Sequence, residues 1–194
     1  MRWRSRHGGG YSYYGEAALR AGAGLVRVLT RSENIAPLLT ARPELMDYEL
    51  ALDGLSYRKP GMADVVAIGP RLAQQEWEAL QKVENFRKPM LWMPMHLNLL
   101  ARLIPISVIL RYYAASCEAP ARLLGCSVAQ IERDRLHCAK RLVQRYGGVV
   151  LKGAGTVVAA HPDALGMIHA GNAGTASGGM GDALSGIIGA LLGQ

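Results

Sequence analysis

Apolar and polar positions change period several times along the chain, and each change marks an element. From Gly15 the pattern is regular. Glu16 to Ala21 reads as a short helix ended by Gly22 and Gly24. Leu25 to Leu29 reads as a strand, and Ser32 can cap a helix continuing through Leu39. Asp64 to Ile68 is a short apolar run stopped by Gly69-Pro70, the form of a parallel strand buried on both faces. Gln74 to Phe86 suits a helix, Met90 to Trp92 and Ile106 to Leu110 suit strands, and a helix fits around His96 to Arg102. The clearest helix signal starts at Ser127, which with Gln130 has capping-box spacing. Ile131, Ala139, Leu142, Val143 and Tyr146 then form one apolar stripe, closed by Gly147-Gly148. Val149 to Leu151 and Thr156 to Ala160 read as a hairpin, and Asp182 to Leu192 as a helix packed through small residues. Residues 1–14 carry Arg2, Arg4, Arg6, a glycine triplet and three tyrosines, and read as a basic, glycine- and tyrosine-rich arm.

Alternation of strand and helix signals over residues 15–194 predicts a single α/β domain with a mainly parallel sheet. Ligands of such sheets lie beyond the carboxyl ends of the strands, where glycine-rich turns lead into helices. Composition narrows the class. Half of the 194 residues are apolar and 19% are charged, enough for a packed core. No apolar run reaches the ~20 residues that span a bilayer, and MRWRSRHGGG lacks the apolar centre of a secretory signal. Cys117, Cys126 and Cys138 make an odd count without a CxxC, which argues against a disulfide framework or a zinc knuckle. A cytoplasmic protein with no membrane partner and no protein-borne metal centre is therefore expected.

Charge adds one constraint. The net charge of +7, from 22 Lys+Arg against 15 Asp+Glu, points to an anionic partner. Yet Lys152 is the last cation of the chain. Arg133, Arg135, Lys140, Arg141 and Arg145 share one predicted helix with little aromatic interleaving. They read as a solvated helix face, and nucleic acid is not an expected partner.

Two segments carry candidate chemistry. The first is AGNAGTASGGMGDALSG, residues 170–186. Its consecutive small residues let backbone N–H groups converge just before a helix, which makes an anion hole for a phosphate. Asp182 stands at that helix start. A carboxylate there repels a phosphate but suits a base that takes a proton from a hydroxyl attacking a phosphoryl group. It also suits a simple N-cap, and the sequence leaves both roles open. The second segment is Lys152-Gly153-Ala154-Gly155-Thr156, a strand-ending cation followed by glycines that allow close approach and a hydroxyl. It lacks Walker A spacing. Alone it is also what any strand-turn-strand needs; followed by Gly181-Asp182 it becomes specific.

Together, KGAGT and GNAGTASGGMGD resemble the carboxy-terminal half of the ribokinase-like NAD(P)H-hydrate dehydratases. GEAALRAGAGLVRVLT (15–30), ARPELM (41–46), ADVVAIGP (63–70), NLLA (98–101) and ARLLG (121–125) resemble the same family in the same order. The resemblance implies a three-layer sandwich and a repair enzyme. Such an enzyme uses ADP or ATP with Mg²⁺ to phosphorylate the hydroxyl of hydrated NADH or NADPH (NADHX or NADPHX); loss of phosphate then restores the cofactor. It implies Asp182 as the catalytic base and Lys152 to Thr156 with Gly181 as the nucleotide site. Ser177 to Met180 would form the anion hole, and the assembly would be a homo-oligomer, commonly a tetramer.

Several segments depart from the family pattern. The opening apolar strand is replaced by MRWRSRHGGGYSYY, and the final helices of the family are not represented, so a sandwich lacking its first strand and last helices is expected. Arg71 stands where the family has a glycine after Gly69-Pro70, and MPMHLN (93–98) replaces an aspartate-bearing segment. Ser116 falls near the position of a substrate-binding histidine. The hydrate pocket is expected around Gly69, Arg71, Ser116 and Asn172. Two alternatives follow: a catalytically impaired nucleotide-binding homologue, favoured by the altered segments, and a small-molecule kinase of the same fold.

Overall fold

The computed structural model describes residues 9–30, 32–49, 63–68, 88–93, 112–175 and 177–194. In chain order these form α1 (Gly9–Arg20), β1 (Arg27–Thr30), α2 (Ser32–Ala41), β2 (Met46–Glu49), β3 (Val66–Ile68), β4 (Met90–Trp92), β5 (Tyr112–Ala115) and α3 (Glu118–Leu124). There follow α4 (Val128–Arg133), α5 (Arg135–Tyr146), β6 (Gly148–Leu151), β7 (Thr156–His161), β8 (Ala164–Ile168), a 3-10 turn (Ala173–Thr175) and α6 (Met180–Leu192). The expected helices at Gln74 to Phe86 and His96 to Arg102 and the expected strand at Ile106 to Leu110 lie outside the described residues. So do Gly69 and Arg71.

The chain gathers into two compact units, where the sequence suggested one domain over 15–194. The first contains α1, β1, α2, β2 and α6. Here β1 and β2 pair in parallel, Arg27 opposite Met46. The unit's core is Ala18, Val26, Val28, Leu38, Leu45 and Ala190, with Tyr11 and Leu19 packed against it. α1 corrects the expected arm: residues 9–14 are helical, and the helix extends seven residues before Glu16. Local propensity of a glycine- and tyrosine-rich stretch disfavours this, and packing overrides it. Tyr14 is buried enough that its hydroxyl pKa is pushed up to about 12.

The second unit is built on the strand order β3-β4-β5-β6-β7-β8. β4, β5 and β6 run parallel; β7 and β8 then return antiparallel as a meander. β4 is buried at all three positions, as a strand covered on both faces must be. Leu91, Trp92, Ile131, Leu142, Leu151 and Val157 are the most buried large side chains of its core. The predicted capping box is present: Gln130 N–H donates to Ser127 Oγ at 3.2 Å, and Ser127 N–H donates to Gln130 Oε1 at 2.8 Å. All five predicted stripe residues are buried. The single helix expected over this region is two, broken at Asp134. Its carboxylate accepts from His137 N–H at 2.9 Å and caps α5, an alternative that Asp offers the backbone in place of continuing a helix.

Candidate functional site

The Lys152–Thr156 turn joins β6 to β7 in the second unit. Its tightness comes from two glycines at positive φ, Gly153 at 154° and Gly155 at 72°, conformations that side chains rarely adopt. Thr156 closes the turn. Its hydroxyl donates to Gly153 carbonyl at 3.0 Å and accepts from Gly153 N–H at 3.3 Å. Lys152 is half-buried at the carboxyl end of β6, and Ala154 is exposed at the tip.

Beneath the turn lies a residue that the sequence placed on a solvated helix face. Arg135, the first residue of α5, is half-buried; the other cations of that face are exposed. Its Nη2 donates to Leu151 carbonyl at 2.8 Å and its Nη1 to Cys117 Sγ at 3.2 Å. The signal that could have singled it out is positional: a cation in the first turn of a helix opposes the helix dipole.

In the first unit, Gly179 is the N-cap of α6 at φ 90°, and Ala183 N–H reaches back to its carbonyl at 2.9 Å. Asp182 is therefore the third residue of the helix and not its N-cap, and it is half-buried. Ser177 and Gly178 are exposed ahead of the helix, facing its positive end in sequence. Ser185 Oγ donates to Gly181 carbonyl at 2.8 Å and fixes the first turn. Glycines also let α6 lie on α1. A Cβ on Gly179 would stand 2.6 Å from the Tyr13 ring, and one on Gly186 would overlap Tyr14 carbonyl.

The turn and the helix start thus bring together, each within its own unit, the residues predicted for nucleotide and for the anion hole. The residues expected for the hydrate are less concentrated. Ser116 is exposed after β5. Asn172 is exposed, but its Oδ1 accepts from Gly174 N–H at 2.7 Å and its carbonyl accepts from Thr175 Oγ1 at 2.6 Å, so it orders the 3-10 turn. Among the described residues no three His, Cys, Asp or Glu side chains gather as a metal site. Mg²⁺ habitually binds nucleotide phosphates with only one or two carboxylates, so it needs no such cluster. Among the same residues no helix is long and apolar enough to cross a membrane.

The chain is similar to known proteins along nearly its whole length. A family model described as NAD(P)H-hydrate dehydratase matches residues 4–194. The bifunctional NAD(P)H-hydrate repair enzyme Nnr of Escherichia coli is 75% identical over 183 residues, 93% of this chain and 35% of that protein. The enzyme of the same name from Coxiella burnetii is 42% identical over 96% of this chain and 39% of its own length. The chain thus spans somewhat over a third of these relatives. Among solved structures, the ADP/ATP-dependent NAD(P)H-hydrate dehydratase of Bacillus subtilis, co-crystallized with ATP/Mg²⁺, superposes with a TM-score of 0.83 at 24% identity. The match covers 96% of this chain and 70% of that one. A Streptococcus mutans protein gives 0.85 at 26%, covering 97% and 70%. The fold is ribokinase-like α/β, and the chain belongs to the NAD(P)H-hydrate dehydratase family.

Proposed function

We propose that this chain carries the ADP- or ATP-dependent dehydration of hydrated NADH and NADPH, a nicotinamide nucleotide repair reaction of the cytoplasm, working as a homo-oligomer. The observation that carries the reading is the placement of Asp182. It follows a glycine N-cap and sits half-buried in the first turn of α6, behind the exposed Ser177–Gly178 backbone.

In this reading the Asp182 carboxylate takes the proton of the hydrate's hydroxyl. That oxygen attacks the terminal phosphorus of the nucleotide, the bond from phosphorus to the bridging oxygen breaks, and a nucleotide one phosphate shorter departs. The new phosphate ester is a far better leaving group than hydroxide. Its C–O bond then breaks, a ring proton is lost, and the double bond of the cofactor returns. Backbone N–H groups of Ser177 to Met180, with Gly181, hold the transferring phosphoryl group at the positive end of α6. Lys152 to Thr156 hold the nucleotide, their glycines giving the turn its path. Bound with the nucleotide, Mg²⁺ supplies neutralisation of phosphate charge. Gly69, Arg71, Ser116 and Asn172 remain the residues assigned to the hydrate.

Asp182→Asn tests the assignment. Turnover of the hydrate should fall about 10²- to 10⁴-fold, the range general-base catalysis supplies, with nucleotide affinity kept. Loss of nucleotide binding instead would make Asp182 structural. Nucleotide binding by the unaltered chain without dehydration would favour the impaired homologue. Phosphorylation of another alcohol would favour the kinase.

A further inference from the structure

We propose that Arg135 is a positioning residue for the nucleotide turn, locking Lys152–Thr156 to the carboxyl ends of β5 and β6. The inference rests on the nucleotide-binding reading of that turn. Three contacts converge on one guanidinium. Nη2 holds the carbonyl of Leu151, the last residue of β6 and the neighbour of Lys152. Nη1 holds Sγ of Cys117, two residues beyond the end of β5. The group also lies against Gly153 itself: a Cβ there would stand 2.8 Å from both Nη1 and Nη2.

Two features say that this arrangement is not incidental. Arg135 opens α5, where a cation opposes the helix dipole. Among the described residues its buried Nε has no hydrogen-bond partner, a condition that native structures usually avoid. Both are unfavourable, and an exposed rotamer would relieve the second by giving Nε water. The inward rotamer is held by the planar fork, which reaches two acceptors at once, one ending β6 and one beyond β5, with a geometry that a lysine lacks. The consequence falls on the turn. Leu151 and Gly153 flank Lys152, so the guanidinium sets the path of the backbone on either side of it. A loop that must present its N–H groups and a cation to phosphates works only if held within a fraction of an ångström.

The experiment titrates Mg²⁺-ADP by calorimetry into the unaltered chain, Arg135→Gln, Arg135→Lys and, as a control on an exposed residue of the same helix, Arg141→Gln. Thermal midpoints without nucleotide and turnover at saturating ADP are recorded for each. Arg135→Gln should weaken ADP binding about tenfold, the size expected for losing charge-assisted hydrogen bonds. Arg135→Lys should recover part of that loss and Arg141→Gln should match the unaltered chain. Turnover at saturation should move less than about twofold, because the chemistry is left intact. If Arg135→Gln lowers the midpoint but leaves ADP affinity unchanged, Arg135 only supports the fold and the proposal fails. Should Arg135→Gln not fold, Cys117→Ala removes one contact; a rise of about two- to threefold in the ADP dissociation constant supports the proposal and none overturns it. If the unaltered folded chain binds no ADP, the nucleotide reading of the turn falls and this inference with it.

Discussion

In the Lys152–Thr156 turn, glycine serves through its backbone; in α6 it serves through the side chain it lacks. Gly153 and Gly155 sit at φ 154° and 72° and give the chain a path that other residues resist. Gly186 and Gly189 are ordinary helical residues, and what matters is the space above them. Tyr14 carbonyl and Ala18 N–H occupy the place of a Gly186 side chain, and Tyr14 hydroxyl lies 2.9 Å from that of Gly189. One region is a strained turn pinned by hydrogen bonds, the other a close-packed helix pair. The same composition therefore yields two different mechanical parts, and substitutions should separate them.

The largest separation should come from Gly186→Leu. A side chain there overpacks α1 against α6 and should cost roughly 3 kcal/mol, near the upper end for such insertions. Urea unfolding should show the loss, and amide exchange should place it in α1 and α6 with β6 and β7 still protected. Uniform deprotection would break the comparison. Raising the pH should act on the same helix pair more gently. Tyr14 keeps its proton in the folded chain up to about 12 against an ordinary 10. Its stabilising contribution is therefore whole below pH 10 and lost as pH rises from about 10 to about 12, because there the unfolded chain releases the proton and the folded chain does not. Tyr14→Phe should flatten that stretch of the stability profile. The smallest effect should come from Thr156→Val, which removes the hydroxyl bridging both backbone groups of Gly153 and should cost about 1 kcal/mol. Equilibrium unfolding checks it, and α1 protection should be unchanged.

The second unit was the more legible in sequence. Ser127 and Gln130 announce a helix through chemistry that needs no distant partner, and the stripe from Ile131 to Tyr146 records one face of it. The turn at KGAGT and the helix start at GGMGD were legible for the same reason: each depends on local backbone form. β8 gave no signal, because its residues are half-buried or exposed and show no clean alternation. α1 was misread over residues 9–14, since what makes it a helix is α6, far along the chain. Arg135 was hidden by its composition, a cation among cations, until the fold turned it inward.

That dependence of α1 on α6 has a consequence for how the chain comes into being. Gln194 Nε2 donates to Ala21 carbonyl across 173 positions at 3.0 Å, between the ends of the same two helices. α5, β6, β7 and β8, by contrast, are consecutive and make their contacts with near neighbours. In a chain made from its amino terminus the partners of the meander appear one after another. α1 is made well before α6 and must wait for it, and the loop the pair closes carries the higher entropic cost. Its glycine-matched face is thus exposed until α6 is made, which makes α1 a segment in need of protection before its unit is complete.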